Sequence, residues 1–222
     1  MRKEPIVAID GPSGVGKSTV AKGVAKKLNF QFVDTGALYR TVALTAKKEN
    51  IDLNDGDKVA KEALKHTFTF DSDGELYLDG EKAGLSIRNN EIAAGASQVA
   101  VHQEVREALL NIQRTLGIDG GVVLEGRDIG TVVFPYAETK FFLTASVDER
   151  AKRRYLQLKE QNADVSLEDV IDAQIKRDKQ DTERLVAPLK KADDADEVNC
   201  EIMSAEDVVN YICDKVQIFR KK

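Results

Sequence analysis

Cysteine, histidine and long apolar stretches are scarce in this sequence, and each scarcity removes a class of function. Two cysteines in 222 residues make neither a disulfide framework nor a zinc site. Cys200 alternates with Val198 and Ile202 as in a strand, and Cys213 sits beside Ile212 in a helical pattern. Both are therefore expected as small core residues in a reducing compartment. His66 and His102 are the only histidines; neither has a metal-like spacing or a Ser or Cys partner, which argues against histidine-based catalysis. The longest early apolar run, Ile6 to Ile9, is too short for a signal peptide's apolar region or a membrane span. Excess positive charge is missing too. Lys and Arg number 33 against 38 Asp and Glu, a net charge of −5, so the chain is a poor non-specific binder of nucleic acid or anionic membrane.

What remains is an ordinary globular composition, 42% hydrophobic and 32% charged. A chain of this length can bury roughly 70% of its unfolded surface around one core. Strand-like and helix-like segments alternate along it. Ile6-Val7-Ala8-Ile9 is a short β-branched run, and a helix is expected from about Lys17 to Leu28, with Val20, Val24 and Leu28 four apart. Phe30 to Val33 reads as a second strand and Ala37 to Lys48 as a second helix. Val122-Val123-Leu124, Phe141-Phe142-Leu143 and Val198 to Ile202 supply three more strands. Ser146 with Glu149, Ser166 with Asp169 and Ser204 with Asp207 have capping-box spacing for the helices between them. The fold class is α/β: a central parallel sheet of about five strands, flanked by helices on both faces.

One stretch breaks the alternation. Thr67-Phe68-Thr69-Phe70 and Leu76-Tyr77-Leu78 flank Asp71-Ser72-Asp73-Gly74, and Asp79-Gly80 follows. These are signals for antiparallel hairpins, expected as a small β insert over about 60–100 rather than as an edge of the main sheet.

The strongest signal is Gly11-Pro12-Ser13-Gly14-Val15-Gly16-Lys17-Ser18-Thr19. It fits the phosphate-loop pattern, follows a strand and opens a helix, which is the context that pattern needs. Glycines let backbone N–H groups converge on phosphate oxygens, and the helix N-terminus adds its positive end. Lys17 is placed to reach the β- and γ-phosphates, and Ser18 to offer a hydroxyl to Mg²⁺. The chain is expected to bind a nucleoside triphosphate in a P-loop fold. No apolar run ends in the Asp of a motor's metal-binding strand, because Val122-Val123-Leu124 is followed by Glu125-Gly126-Arg127-Asp128; the guanine signature Asn-Lys-x-Asp is absent as well. Arginines gather instead after the strands, where α/β sheets bind ligands: Arg40, Arg106, Arg127, Arg150, Arg153, Arg154, Arg177 and Arg184. Such a set suits more phosphate than one loop holds.

A wider set of motifs carries a resemblance. Asp10-Gly11-Pro12-Ser13-Gly14, Asp34-Thr35-Gly36-Ala37-Leu38-Tyr39-Arg40, Ala96-Ser97-Gln98-Val99-Ala100, Val105-Arg106-Glu107-Ala108-Leu109, Gly126-Arg127-Asp128-Ile129-Gly130-Thr131-Val132-Val133-Phe134-Pro135 and Ala187-Pro188-Leu189 occur in order along the chain. Together they resemble bacterial cytidylate kinases, nearly end to end. The resemblance implies a single domain over 1–222, a monophosphate-binding insert at about 60–100 and a mobile lid at about 146–190. It implies transfer of the γ-phosphoryl group of ATP to CMP or dCMP, giving ADP and CDP or dCDP, with Mg²⁺. Lys17, Arg127 and Arg184 are the implied catalytic set. Arg40, Arg127 and Arg184 would hold the acceptor phosphate; Ser97, Arg106 and Asp128 would read cytosine; Arg177 and Asp181 would hold the ribose; Thr35 would place a hydroxyl beside the acceptor. The lid segment carries Gln180 and Thr182 where some relatives have arginines, which leaves Arg150, Arg153, Arg154 and Lys179 as candidates for contact with ATP. Partners are expected to be small molecules alone, with the chain acting as a cytoplasmic monomer.

Elementary chemistry fits these roles. A CMP phosphate oxygen, with a second pKa of about 6, is largely ionised at neutral pH, so attack needs no general base. Two phosphate-rich ligands must be joined against their own repulsion, a task for planar arginine forks. Arg177, Asp181 and Arg184 are spaced to share a helix face. Because water competes for the γ-phosphate, closure on both ligands is expected. The rival readings are a kinase for UMP, dTMP, AMP or shikimate, and a nucleotide-dependent switch protein with no small acceptor.

Overall fold

Five β-branched or aromatic runs form one parallel sheet. The computed structural model describes residues 4–160 and 162–220; positions 1–3, 161 and 221–222 of the expected domain and lid lie outside the described residues. The sheet strands are β1 (Ile6–Asp10), β2 (Gln31–Asp34), β6 (Val122–Gly126), β7 (Thr139–Thr144) and β8 (Asp196–Asn199), ordered β2-β6-β1-β7-β8. Every pairing is parallel, and β1 lies at the centre with Asp10 opposite Gly126. Full burial of β1 and β6 explains why both read as unbroken apolar runs rather than alternating ones.

Helices cover both faces. α1 (Lys17–Leu28) and the C-terminal α8 (Ala205–Arg220) bury Val20, Val24, Val208 and Ile212 against Val7, Ile9 and Val123. On the other face α2 (Thr35–Lys48), α3 (Gly56–Ala63) and α5 (Gln103–Gly117) pack Leu38, Val42, Val59 and Leu109 over Ile6, Ala8 and Leu124. Between α3 and α5 the hairpin signals become a separate three-stranded antiparallel sheet, β3 (Phe68–Phe70), β4 (Leu76–Leu78) and β5 (Glu81–Lys82), followed by α4 (Asn90–Val99). α6 (Val147–Glu160) and α7 (Leu167–Glu183) form a helical pair with a small core of their own around Ala151, Leu158 and Val170.

Local chemistry moves several expected boundaries. β2 begins at Gln31 and α2 at Thr35, because the Asp34 side chain accepts from Ala37 N at 3.0 Å and caps the helix two residues early. β8 stops at Asn199, so Cys200 lies just past the strand. One more bond, Cys200 N to Thr144 O at 2.8 Å, keeps Cys200 buried, while Ile202 is 81% exposed. Both cysteines are free and buried. Ser166–Asp169 forms a full capping box, and Ser204–Asp207 shows the same reciprocal bonds. Ser146–Glu149 makes half of one: Glu149 N donates to Ser146 Oγ, but the Glu149 carboxylate turns to Arg153 at 2.8 Å. Arg184 falls just beyond α7 with extended backbone, so the helix face shared by Arg177 and Asp181 is extended by the chain's exit rather than by another turn. His66 meets Asp79 at 2.6 Å and His102 meets the Leu53 carbonyl at 2.9 Å, the packing roles their sequence context suggests.

The loop after β1 depends on two glycines for different reasons. Gly11 has φ +149°, and a Cβ there would lie 2.4 Å from the Leu143 carbonyl oxygen; Gly16 has φ +100° with open space around it. Gly16→Ala should therefore cost only backbone strain, about 1–3 kcal/mol. Gly11→Ala should cost that plus overpacking of about 1–3 kcal/mol. Chemical denaturation of the two variants checks the order: Gly11→Ala falls further, or the close approach of β7 is not limiting.

Candidate active site

The carboxyl ends of β1, β2 and β6 open into a cleft of about 1280 Å³, roofed by α4, α6 and α7. One end is the phosphate loop. Lys17 is buried, and its Nζ donates to the carbonyls of Gly11 at 2.8 Å and Pro12 at 2.7 Å. Burial, and then the nearby Arg127 cation, push the Lys17 ammonium well below its ordinary range. A polyphosphate beside it would favour the charged form. The loop is braced from α6 and α7: Arg150 Nη1 donates to Ser13 O at 3.0 Å, and Gln174 donates to the same oxygen.

Glu125, the fourth residue of β6, stands opposite Ile9 and faces the loop. Its Oε1 is buried without a hydrogen-bond partner, and the Ser18 hydroxyl lies near enough to favour the charged carboxylate. Burial and the neighbouring Asp34 raise its pKa far above the usual carboxylate range. An orphaned carboxylate oxygen beside a hydroxyl is a donor set that fits Mg²⁺ held chiefly by phosphate oxygens and water, with one or two protein contacts. Among the described residues no cluster of three or more His, Cys, Asp or Glu could hold a metal by itself. Sequence reading passed over Glu125; the available signal was an acid inside a strand otherwise made for burial.

The other end is a crowd of guanidinium groups. Arg40 Nη2 pairs with Asp34 at 2.7 Å, yet its Nε is buried and unpartnered. Arg127 Nε donates to Asp181 at 2.8 Å. Arg177 Nε is buried and unpartnered, and burial, then repulsion from Arg127, bring this guanidinium down to about 10. Arg184 Nε donates to Ala187 O at 2.6 Å, but its Nη2 has no hydrogen bond and stands 3.6 Å from Asp128. Burial works to raise the Asp181 carboxyl, and Arg127, Arg177 and Arg184 overcome it, holding it below the usual carboxylate range. Buried donors without acceptors cost about 1–3 kcal/mol each, more when charged. A dianionic phosphate would satisfy several together.

Beside this crowd lie the groups expected to read a base. Arg106 and Asp128 form a buried ion pair, and Arg106 stacks over the Tyr39 ring, 5.5 Å from its centre. The Ser97 hydroxyl back-bonds to Ala93 O at 3.3 Å, and its carbonyl accepts from Gln180 Nε2 at 3.1 Å. Thr35 spends its proton on Glu125 O at 2.7 Å. All nine expected acceptor-site residues, from Thr35 to Arg184, line the one cleft. Of the loop residues, Ser13 to Thr19 line it, whereas Gly11 and Pro12 turn their carbonyls to Lys17.

The arginines expected on the lid divide. Arg150 is buried and bidentate to Asp178, and Arg153 is tied to Glu149 and to Cys200 O at 2.8 Å. Both are committed to protein partners. Lys179 is solvent-exposed beside Glu183. Arg154 lines the cleft and reaches Asn90 on α4 at 2.6 Å.

Comparison with known proteins follows the same lines. The family model described as Cytidylate kinase matches residues 7–218. A cytidylate kinase from Bacillus subtilis (strain 168) is 45% identical, covering 98% of each chain. Another from Geobacter sp. (strain M21) is 47% identical over 93% of this chain and 90% of that one. Among solved structures, shikimate kinase from Bacteroides thetaiotaomicron shares the fold at 14% identity and TM-score 0.50, covering 96% of this chain and 98% of that one.

The unpartnered guanidinium nitrogens generate a binding test. At about 100 times its Kd, a nucleoside monophosphate should stabilise the fold by about 2.7 kcal/mol. Loss of one charge-assisted bond, about 1.5–3 kcal/mol, should leave Arg184→Ala with about 0.3–1.3 kcal/mol at that concentration. Stabilisation by an unhydrolysable triphosphate should stay near the unmodified value. Thermal unfolding with each ligand reads both; equal losses would move Arg184 to the triphosphate end.

Proposed function

This chain belongs to the cytidylate kinase family, and from that premise we propose how its cleft transfers a phosphoryl group. The protein is an ATP-dependent phosphotransferase that converts CMP and ATP to CDP and ADP; dCMP is the second acceptor of this reading. The observation that carries the two-ended reading is the set of buried, unpartnered nitrogens on Arg40, Arg177 and Arg184, across one cleft from a lysine-bearing phosphate loop.

ATP lies with its phosphates over residues 11–19. Lys17 follows charge as it moves between the β- and γ-phosphates, an interaction made largely in the transition state. Arg127 and Arg184 neutralise the acceptor phosphate and aim one of its oxygens in line at the γ-phosphorus. Arg40 adds a third fork, Thr35 borders the acceptor, and Arg177 with Asp181 holds the ribose. Asp128, oriented by Arg106, accepts from the cytosine amino group, with Ser97 beside it. Ser18 and Glu125 are the groups that would hold Mg²⁺, which supplies charge neutralisation between phosphates when bound. The insert at about 60–100 closes on the acceptor and the helices at about 146–190 form the lid. Arg154 is the lid arginine best placed for the donor phosphates. The remaining partners of this reading are small molecules alone, for a monomer working in the cytoplasm.

Two measurements test this reading. Lys17→Ala should lower kcat by on the order of 10²-fold or more with a smaller change in apparent affinity; near-normal kcat would remove Lys17 from the transition state. Coupled assay of ADP release over a monophosphate panel should favour CMP over UMP by roughly 10²–10³ in kcat/KM, because uracil turns a carbonyl toward Asp128. Asp128→Asn should weaken CMP use and narrow that gap, since an amide can rotate to donate. Comparable use of CMP and UMP by the unmodified protein would overturn the cytosine assignment.

A further inference from the structure

Asp10 is the last residue of β1 and precedes the first glycine of the phosphate loop. It is 5% exposed, and it makes no ion pair within 4.0 Å among the described residues. Its carboxylate reaches sideways to the segment leaving β6: Oδ1 accepts from Ile129 N at 2.8 Å and Oδ2 from Gly130 N at 2.7 Å. Those two N–H groups open a wide π-helical turn, Ile129–Val133, in which Val132 N and Val133 N bond back to Asp128 O and Phe134 N to Ile129 O. The first donors of such a turn have no partner within it, and Asp10 supplies their acceptors from 119 and 120 residues away in sequence.

The position of this cap matters more than the turn it caps. Ile129 directly follows Asp128 (φ −148°, ψ 25°), and Asp128 and the preceding Arg127 both line the cleft. Because Asp10 stands opposite Gly126, the two loops leave the sheet side by side, and one carboxylate bridges them. We propose that Asp10 is a positioning residue that locks the segment carrying Arg127 and Asp128 onto the phosphate loop, so that acceptor geometry and base choice depend on this one cap. The inference rests on the reading that Asp128 faces the cytosine.

A carboxylate suits this role better than any neutral isostere. Both of its oxygens accept, whereas an asparagine must present its amide N–H₂ to one of the two backbone donors. Asp10→Asn therefore keeps size while breaking one hydrogen bond and tilting the peptide beside Asp128. The charge is costly in this place: burial raises Asp10 to about 6 against the pull of the two backbone bonds, with Asp128 opposing the charge and Lys17 supporting it. A generic cap would not need it.

The test compares the unmodified protein with Asp10→Asn at one fixed pH, by KM and kcat for CMP, UMP and ATP, and by Tm. Expected are a fall of about 10–100-fold in kcat/KM for CMP, a CMP-to-UMP ratio reduced by about tenfold or more, and a KM for ATP within about threefold. A Tm loss accompanied by an unchanged CMP-to-UMP ratio, or equal damage to the ATP and CMP parameters, would reduce Asp10 to a structural cap and overturn the proposal. Lack of CMP preference in the unmodified protein would instead refute the reading of Asp128; the split between the CMP and ATP parameters then still decides whether Asp10 positions the acceptor end. Should the Asn variant not fold, Asp10→Ser, whose oxygen can accept one bond and leaves room for water, is judged by the same ratios.

Discussion

Arg40, Arg127, Arg177 and Arg184 crowd one end of the cleft, with Asp34, Asp181 and Asp128 too few and too engaged to satisfy them. Repulsion among these cations is what the surrounding fold has to contain. Together with burial, the larger cause, it depresses the guanidinium of Arg177, and it makes the cleft a poor host for a neutral molecule. An anion placed among them would gain what the protein alone forgoes, which is what phosphate recognition at this end would require. Chemistry then needs little more: ionised acceptor oxygen, fixed donor, and charge already in place before the bond shifts.

Containment falls largely to α7. Along one helix Gln174 holds the Ser13 carbonyl of the phosphate loop, Asp178 holds Arg150, Gln180 holds the Ser97 carbonyl, and Asp181 holds Arg127. Gln174, Asp178 and Asp181, spaced four and three apart, share one face of the helix, and Gln180 projects from a neighbouring one. A single rigid element therefore touches the donor loop, the acceptor arginines and the helix expected to read the base.

The sequence was most legible where backbone geometry demands particular residues. The β1–loop–α1 unit could be placed residue by residue because Gly11, Gly14 and Gly16 take the positive φ that glycine adopts most readily. The antiparallel insert was visible from its turn chemistry. The motifs contain many of the residues that line the cleft, but the direction of each side chain was hidden. Arg150 and Arg153 count the same in a composition as Arg154, yet their forks close on Asp178, Glu149 and backbone carbonyls. Glu125 looks like a surface acid until its strand is found buried on both sides. Cys200 and Arg184 fell just past the ends of their elements because periodicity does not say where a strand or helix stops. Asp10 was legible only as a member of a motif, not by its contacts, since its partners lie more than a hundred residues away.

Among the described residues two hydrogen bonds cross from the helical pair to α4, Arg154 to Asn90 and Gln180 to Ser97. They tie the helical pair, which also braces Ser13 of the phosphate loop, to the helix expected to read the base. Binding free energy is a state function, so any strengthening of CMP binding that ATP brings about through this bridge must be matched, factor for factor, by what CMP does for ATP. Neither nucleotide can be the sole effector of the other. A substitution that cuts the bridge would weaken this reciprocity while leaving each site able to bind, because the Asp10 cap and α7 still join the two ends.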